Sequence, residues 1–359
     1  MRLLVSLCFA VSVLMGLHIP LISIYASRLG APPSIVGLIC GLGPVLYAVI
    51  ALLSGLVAGR LGERGIIALS LGILALSYAS LPLVGDVATL AVVASLPATA
   101  YAAFWPSVES LFSRRGGSVA AFSTSWSAGT IAGSLLATPA ILALERALWT
   151  MAALSALSIP LALSLGGRGG SSGEAVSLRD LVRSARDLPH SWAWAFSYAA
   201  TLGAVFAFYP LLVEDWGLPV WYVSLALFSL VGARTLVFSL CSRVPGPLSL
   251  AGSLLLASAA LIPLARDPAT LSIASAIAGA GTGLLYAESL SSAFSSDPQR
   301  RSVYTGLFES FIGLGYAAGP AIAGAASSLS LGLAIPAAAA LSSLISCLFS
   351  LSGTRRSGS

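Results

Sequence analysis

Charge is what this 359-residue sequence has least of. Asp, Glu, Lys and Arg make up 9% of it, against roughly 25% in an ordinary soluble domain. Eighteen basic and thirteen acidic residues cannot coat a water-soluble protein of 36.3 kDa. Lysine is absent, and the arginines are scattered through short segments, which excludes the clustered basic patch of a nucleic-acid binder. Cysteine is scarce too: Cys8, Cys40, Cys241 and Cys347 lie far apart in apolar runs, giving neither a disulfide framework nor zinc-ligand spacing. Histidine is limited to His18 and His190. No HExxH, GxSxG, phosphate-binding Walker loop or paired-carboxylate array is present, so the expectation is no enzyme, no cofactor, no metal and no nucleotide-driven pump.

What the sequence has in excess is apolar length. Its hydrophobic fraction is 57% and its mean hydropathy +0.95. A bilayer core of about 30 Å takes about 20 apolar residues per helical crossing, so twelve crossings use about 240 residues and leave about 120 for connections. Apolar runs bounded by charge, Pro or Gly fall at 3–25, 34–58, 65–84, 87–112, 117–142 and 147–165. A second set falls at 191–213, 220–240, 248–264, 270–294, 303–326 and 331–351. Each is expected to be a helix, because backbone amides in lipid must find partners within their own segment. The first run is long and has no clean small-x-small cleavage site, so it is read as a retained span.

The arginines orient these spans. With the N-terminus inside, fourteen fall in cytoplasmic segments and three (Arg28, Arg146, Arg266) in external loops, while Arg234 lies inside a span. Both termini are therefore expected in the cytoplasm of a multi-pass cell-membrane protein.

The chain divides at a Gly/Ser-rich linker. Residues 1–165 form a first set of six spans, 166–190 a cytoplasmic linker with a short amphipathic helix, 191–352 a second set of six and 353–359 a tail. The halves resemble each other. Leu29-Gly-Ala-Pro-Pro-Ser-Ile-Val-Gly-Leu38 aligns with Trp216-Gly-Leu-Pro-Val-Trp-Tyr-Val-Ser-Leu225, Val108-Glu-Ser-Leu111 with Ala287-Glu-Ser-Leu290, and Ser118-Val119 with Ser302-Val303. Such repeats place a solute site between the halves near the bilayer midplane.

Between the second and third spans stands Gly55-Leu-Val-Ala-Gly-Arg60-Leu-Gly62-Glu-Arg64-Gly. It resembles the major facilitator superfamily loop pattern G-x-x-x-D-R-x-G-R-R. Gly55, Arg60, Gly62 and Arg64 match, whereas Gly59 replaces the family's Asp and Glu63 its next Arg. The eleventh span carries Gly315-Tyr-Ala-Ala-Gly319-Pro320-Ala-Ile-Ala-Gly324, similar to a family pattern G-x-x-x-G-P-x-x-G-G; small residues at this spacing are more often packing than mechanism. The resemblance implies an all-α membrane fold of twelve transmembrane helices in two pseudo-symmetric six-helix bundles. It further implies transport of a small solute by alternating access.

Ionisable and aromatic residues within spans supply the candidates, because charge there is costly. His18, Tyr101, Trp105, Trp126, Arg234 and Tyr286 are candidate cavity residues. Glu309, Glu288 and His18 are candidates for carrying a coupling proton. Gly55, Arg60, Gly62, Arg64, Glu109 and Arg243 are assigned to the cytoplasmic loop and gate, with Glu109 read as interfacial and Glu288 as deeper. For each charge a bland role competes: a gate ion pair for the glutamates, snorkelling for Arg234 and a satisfied backbone bond for His18. Trp149, Trp192, Trp216 and Trp221 are read as an interfacial belt. The expected function is secondary transport of a neutral, amphipathic or monoanionic organic solute, with the proton as candidate coupling ion. The expected partners are that solute, the proton and the lipid bilayer, with no nucleic acid and a monomeric state. The alternative is a membrane sensor or scaffold that keeps the fold without transporting.

Overall fold

The computed structural model describes residues 1–116, 119–165, 178–241, 248–295 and 301–356; of 53–61, 113, 119–121, 178–181, 294–295, 301–302 and 353–356 it describes the backbone alone. Every element longer than a turn is a helix among these residues. In chain order they are α1 (Arg2–Arg28), α2 (Pro33–Ser80), α3 (Val87–Arg114), α4 (Val119–Leu142) and α5 (Leu144–Leu163). Then come α6 (Leu178–Asp187), α7 (Pro189–Asp215), α8 (Trp221–Cys241), α9 (Ser249–Leu256), α10 (Pro268–Ser295), α11 (Arg301–Ser327) and α12 (Ala334–Arg356). The run α2 is two crossings joined at Gly62, whose φ of 68° and ψ of 150° break the helix in a region that a side chain would strain. A 3-10 segment, Ala257–Leu264, extends α9 into one crossing. Among the described residues, nine stretches are long and apolar enough to span a bilayer by length and composition. With α4, α11 and Ser249–Leu264 they make twelve crossings. The short α6 precedes α7, and Trp192 of α7 donates from Nε1 to Ala185 O of α6 across 3.0 Å.

The solvent these helices are built for shows at their periphery. Leu76, Leu83, Leu157, Leu254 and Leu329 are 62–84% exposed, with many other large apolar side chains at 36% or more. No soluble monomer presents apolar surface on this scale.

Packing repeats from one half to the other. In the first half α1 lies on α4 and α2 on α3; in the second, α7 lies on α11 and α8 on α10. Across the halves α2 meets α11, its counterpart pair α8 and α4 meet likewise, and α1 meets α7. The repeat extends to hydrogen bonds. Gly30 and Gly217 both take positive φ (84° and 61°) after α1 and α7. Ala31 N then bonds Ala26 O, and Leu218 N bonds Val213 O, both at 3.0 Å. At the start of the fourth crossing of each half, Asp86 and Asp267 cap the helix through Thr89 N (2.8 Å) and Thr270 N (3.0 Å). The capping sequences are Asp86-Val-Ala-Thr-Leu and Asp267-Pro-Ala-Thr-Leu, a repeat the sequence comparison did not use.

Small residues set the spacing. A Cβ on Gly41 would stand 2.8 Å from Ala317 O and one on Gly313 2.9 Å from Pro44 O, so α2 and α11 touch backbone to backbone across the halves. Gly315 and Gly319 face Phe196, Ala199 and Ala200 of α7, while Gly324 meets Gly37. The glycine-proline motif of the eleventh span thus serves close packing.

Candidate functional site

Between the two halves lies a cavity of about 160 Å³. Its wall draws on α1 (Ser12, His18), α2 (Tyr47), α3 (Tyr101, Trp105, Glu109) and α4 (Trp126, Thr130) from the first half. From the second come α7 (Tyr198), α8 (Arg234), α10 (Tyr286) and α11 (Glu309, Tyr316). The six candidates His18, Tyr101, Trp105, Trp126, Arg234 and Tyr286 are brought together here, along with Glu309.

Arg234 is 5% exposed, and its Nη2 has no hydrogen-bond partner among the described residues. Its guanidinium carbon lies 5.2 Å from the centre of the Trp126 ring, so a cation of the second half rests on an aromatic face of the first. It points inward instead of running toward headgroups. Gly283 makes that placement possible: a Cβ there would stand 2.6 Å from Arg234 O, so α10 supports α8 at this level. Tyr286 centres the aromatic wall, with ring contacts to Trp126 (5.8 Å), Tyr198 (5.3 Å), Phe238 (5.0 Å) and Phe308 (5.8 Å). Trp105 packs on Phe104 and Phe122.

Two of the three in-span carboxylates, Glu109 and Glu288, occupy places the sequence did not assign. Glu309 accepts a 2.6 Å bond from Tyr47 Oη, which joins α11 to α2 across the halves. Glu109, read as interfacial, lines the cavity instead. Glu288, read as deeper, accepts from Leu248 N at 3.2 Å and caps α9, and it is not part of the cavity wall. The reason is register. Counted from the matching caps, Glu109 stands 23 positions after Asp86 but Glu288 only 21 after Asp267. Two residues turn a helix by about 200°, so the aligned glutamates face opposite ways. In the same register Trp105 matches Tyr286, and both face the cavity.

At the loop, Glu63 follows the Gly62 break and is 7% exposed. It forms an ion pair with Arg114 and accepts from Ser110 Oγ at 2.5 Å. The residue that departs from the family pattern therefore holds the broken α2 to the end of α3. Arg64 is exposed. Of Gly55 and Arg60 the backbone alone is described, and Arg243 lies outside the described residues.

His18 is held at both ring nitrogens: Nε2 lies 3.1 Å from Ala94 O, and Nδ1 3.3 Å from Tyr78 Oη, which in turn lies 2.7 Å from Tyr101 Oη. Tyr47 and Tyr78 carried no mark in the sequence, since a tyrosine in a span does not declare which face it occupies. Two of the four tryptophans read as an interfacial belt are otherwise engaged. Trp192 is 2% exposed and stacked on Phe311 at 5.7 Å, and Trp216 lies under the Arg266 guanidinium at 3.4 Å.

On the face away from the termini the halves are bonded together. Thr138 N donates to Ser224 Oγ (2.9 Å), Thr138 Oγ1 to Val220 O (3.1 Å) and Ser224 Oγ to Leu135 O (3.0 Å). Ser23 Oγ donates to Ala207 O in a buried contact, and Arg28 pairs with Glu214 at 3.9 Å where both side chains are nearly half exposed.

No protein-family model and no curated protein matches the sequence. Solved structures do match in shape. The nucleoside transporter NupG is similar at 17% identity, with 98% of each chain covered and a TM-score of 0.79. A bacterial homologue of the human lysosomal transporter Spinster, inward-facing and unoccupied, is similar at 14% identity over 97% of this chain and 93% of that one, with a TM-score of 0.70. The human organic anion transporter MFSD10 (TETRAN) is similar at 19% identity, covering 97% and 98%, with a TM-score of 0.62. The chain has the twelve-helix fold of major facilitator transporters.

Proposed function

We propose that the protein is a secondary transporter that carries a small organic solute across the cell membrane by alternating access. Its central cavity would be the solute site, and both termini would be cytoplasmic. The observation that carries this reading is Arg234: a buried guanidinium, with Nη2 lacking a hydrogen-bond partner among the described residues, in the wall of a cavity shared by both halves. An arginine keeps its charge in any such site, and a buried donor left open on it is retained where a ligand completes it. The arginine distribution supports the orientation, since cytoplasmic segments hold fourteen against three.

The geometry also fits a proton as coupling ion. Glu309 and Glu109 line the cavity with Arg234 and offer two carboxyls that can each hold or release a proton as the surroundings change between states. Glu309 is the stronger candidate, because its bond to Tyr47 ties its protonation to the contact between the halves. The solute may not be carried over from the similar structures, whose identities of 14–19% speak for fold alone.

The test is uptake by proteoliposomes of purified protein with an imposed pH gradient, against a panel of labelled organic acids, nucleosides and sugars. Solute-specific accumulation that Arg234→Ala abolishes is expected. Glu309→Gln is expected to leave binding in place and remove dependence on the gradient; unchanged dependence rejects Glu309 as proton carrier. A sensor or scaffold would accumulate nothing and would not expose cavity cysteines alternately from the two sides.

A further inference from the structure

We infer that Tyr101 determines specificity as a group that only accepts a hydrogen bond, so that the solute must meet it with a hydroxyl or N–H. The transported class then follows: a one-ring organic monoanion that carries such a donor. This rests on the transport reading for the solute, whereas the polarity of Tyr101 stands on the hydrogen bonds behind it.

Those bonds leave one neutral arrangement. A backbone carbonyl can only accept, so the 3.1 Å contact of His18 Nε2 with Ala94 O places the ring proton on Nε2. The neutral ring then offers a lone pair at Nδ1, and Tyr78 Oη, 3.3 Å away, must donate to it. Tyr78 has one hydroxyl proton and has now used it. The 2.7 Å bond between Tyr78 and Tyr101 is therefore donated by Tyr101. Tyr78 is fully buried and Tyr101 4% exposed, so no bulk water supplies an alternative partner to Tyr78. Tyr101 borders the cavity with its proton committed backwards and lone-pair capacity left over.

A charged ring would reverse the chain: Nδ1 would donate to Tyr78, Tyr78 to Tyr101, and Tyr101 would hold a free proton. The charged groups bordering the same cavity are Glu109 on α3, Glu309 on α11 and Arg234 on α8. The ring's own contacts, from α2 and α3, are neutral. A cation held by a carbonyl and a phenol alone is the costlier state in this setting.

A second pole of the site is set by Arg234, whose free Nη2 calls for an anionic acceptor. Trp126 and Tyr286 supply ring faces beside it. The cavity of about 160 Å³ compares with the roughly 150 Å³ that holds benzene in an engineered protein core. A carboxylate on a single ring with a hydroxyl elsewhere on it matches all three features, and 4-hydroxybenzoate is the probe that contains them. Its 4-methoxy analogue keeps the anion and the ring but lacks the donor.

The first experiment needs no ligand. With imidazole-15N histidine and the His190→Gln variant, His18 is the sole histidine signal. A neutral ring with the proton on Nε2 is expected at neutral pH; an imidazolium or an Nδ1–H tautomer overturns the polarity of Tyr101. The second is binding by thermal shift. The wild type is expected to bind 4-hydroxybenzoate about tenfold more tightly than 4-methoxybenzoate, the worth of roughly one hydrogen bond. Tyr78→Phe releases the Tyr101 proton toward the cavity and should erase or invert that preference; Tyr101→Phe should erase it and serves if the first variant does not fold. Equal affinities, or no binding of either compound, overturn the solute class. Cysteine accessibility that never alternates between the two sides would overturn transport while the His18 spectrum still supports the acceptor role.

Discussion

A buried guanidinium with one nitrogen left unbonded is a cost to the fold, and that cost gives a test at the level of the single residue. Replacing Arg234 by Met keeps an unbranched, flexible stem, shorter than the arginine's, and removes the guanidinium whose Nη2 is left unbonded. Arg234→Met should therefore raise Tm by about 2–4 °C, the equivalent of about 1 kcal/mol, while transport is lost. A fall in Tm would mean that the guanidinium holds the helices together and that the site has been misplaced. At this scale the sequence was informative where residues were expensive: an arginine, a histidine and a glutamate inside spans are few, and His18, Arg234 and Glu309 all reach the cavity. It misled where two helices were matched by a shared Glu-Ser-Leu. Glu109 and Glu288 look equivalent in the sequence but lie two positions apart in register, so one faces the cavity and the other caps α9. Tyr47 and Tyr78 were silent because their importance comes from neighbours 262 and 60 residues away.

Elements impose a different economy, in which caps and close contacts decide how helices start and meet. Asp267 is fully exposed, and the Thr270 side chain and backbone hold its carboxyl below the usual carboxylate range. A group depressed in the folded state contributes stability above its unfolded pKa and loses it as pH falls through the folded value. The Tm difference between wild type and Asp267→Ala should accordingly be widest near neutrality and shrink as the solution is acidified. A difference independent of pH would show that the carboxylate is not the capping form. Glycine contacts make the second element-scale prediction, because they occur both within a half and between halves. Gly319 packs on Ala200 inside the second half, so Gly319→Val should destabilise the protein by about 1–3 kcal/mol, read as a lower Tm. Gly41 packs on Ala317 across the halves. Gly41→Val should leave Tm nearer to wild type but weaken closure, seen as faster labelling of a cysteine at position 138. Span count was legible from hydropathy, and the repeat from the matching segments around Gly30 and Gly217. The Asp-x-Ala-Thr-Leu caps were legible too, but short polar loops attract little notice beside long apolar runs.

For the molecule as a whole, the question is whether the bonded face can open. Its fastenings are individually weak. The Arg28–Glu214 pair is nearly half exposed on both sides and contributes at most about 1 kcal/mol, and neutral hydrogen bonds such as those of Thr138 and Ser224 contribute about 0.5–1.5 kcal/mol each. A total of a few kcal/mol lies within what a solute's differential affinity for two states can overcome. These polar fastenings are thus ones to be made and broken, whereas the glycine contacts, inside the second half between α7 and α11 and across the halves between α2 and α11, stand outside that total. The role of the bonded face can be tested by fastening it covalently. Thr138 N lies 2.9 Å from Ser224 Oγ, which makes this pair the position at which to introduce a disulfide. In a background with the four native cysteines replaced, Thr138→Cys with Ser224→Cys should transport when reduced, stop when oxidised, and resume on addition of a thiol. Either single cysteine should be indifferent to oxidant, which controls for chemistry elsewhere. Solute binding should survive oxidation if the cavity remains reachable from the face that carries the termini. Full transport by the oxidised double variant would mean that this face never has to open, and alternation between the two halves would then not be how the solute crosses.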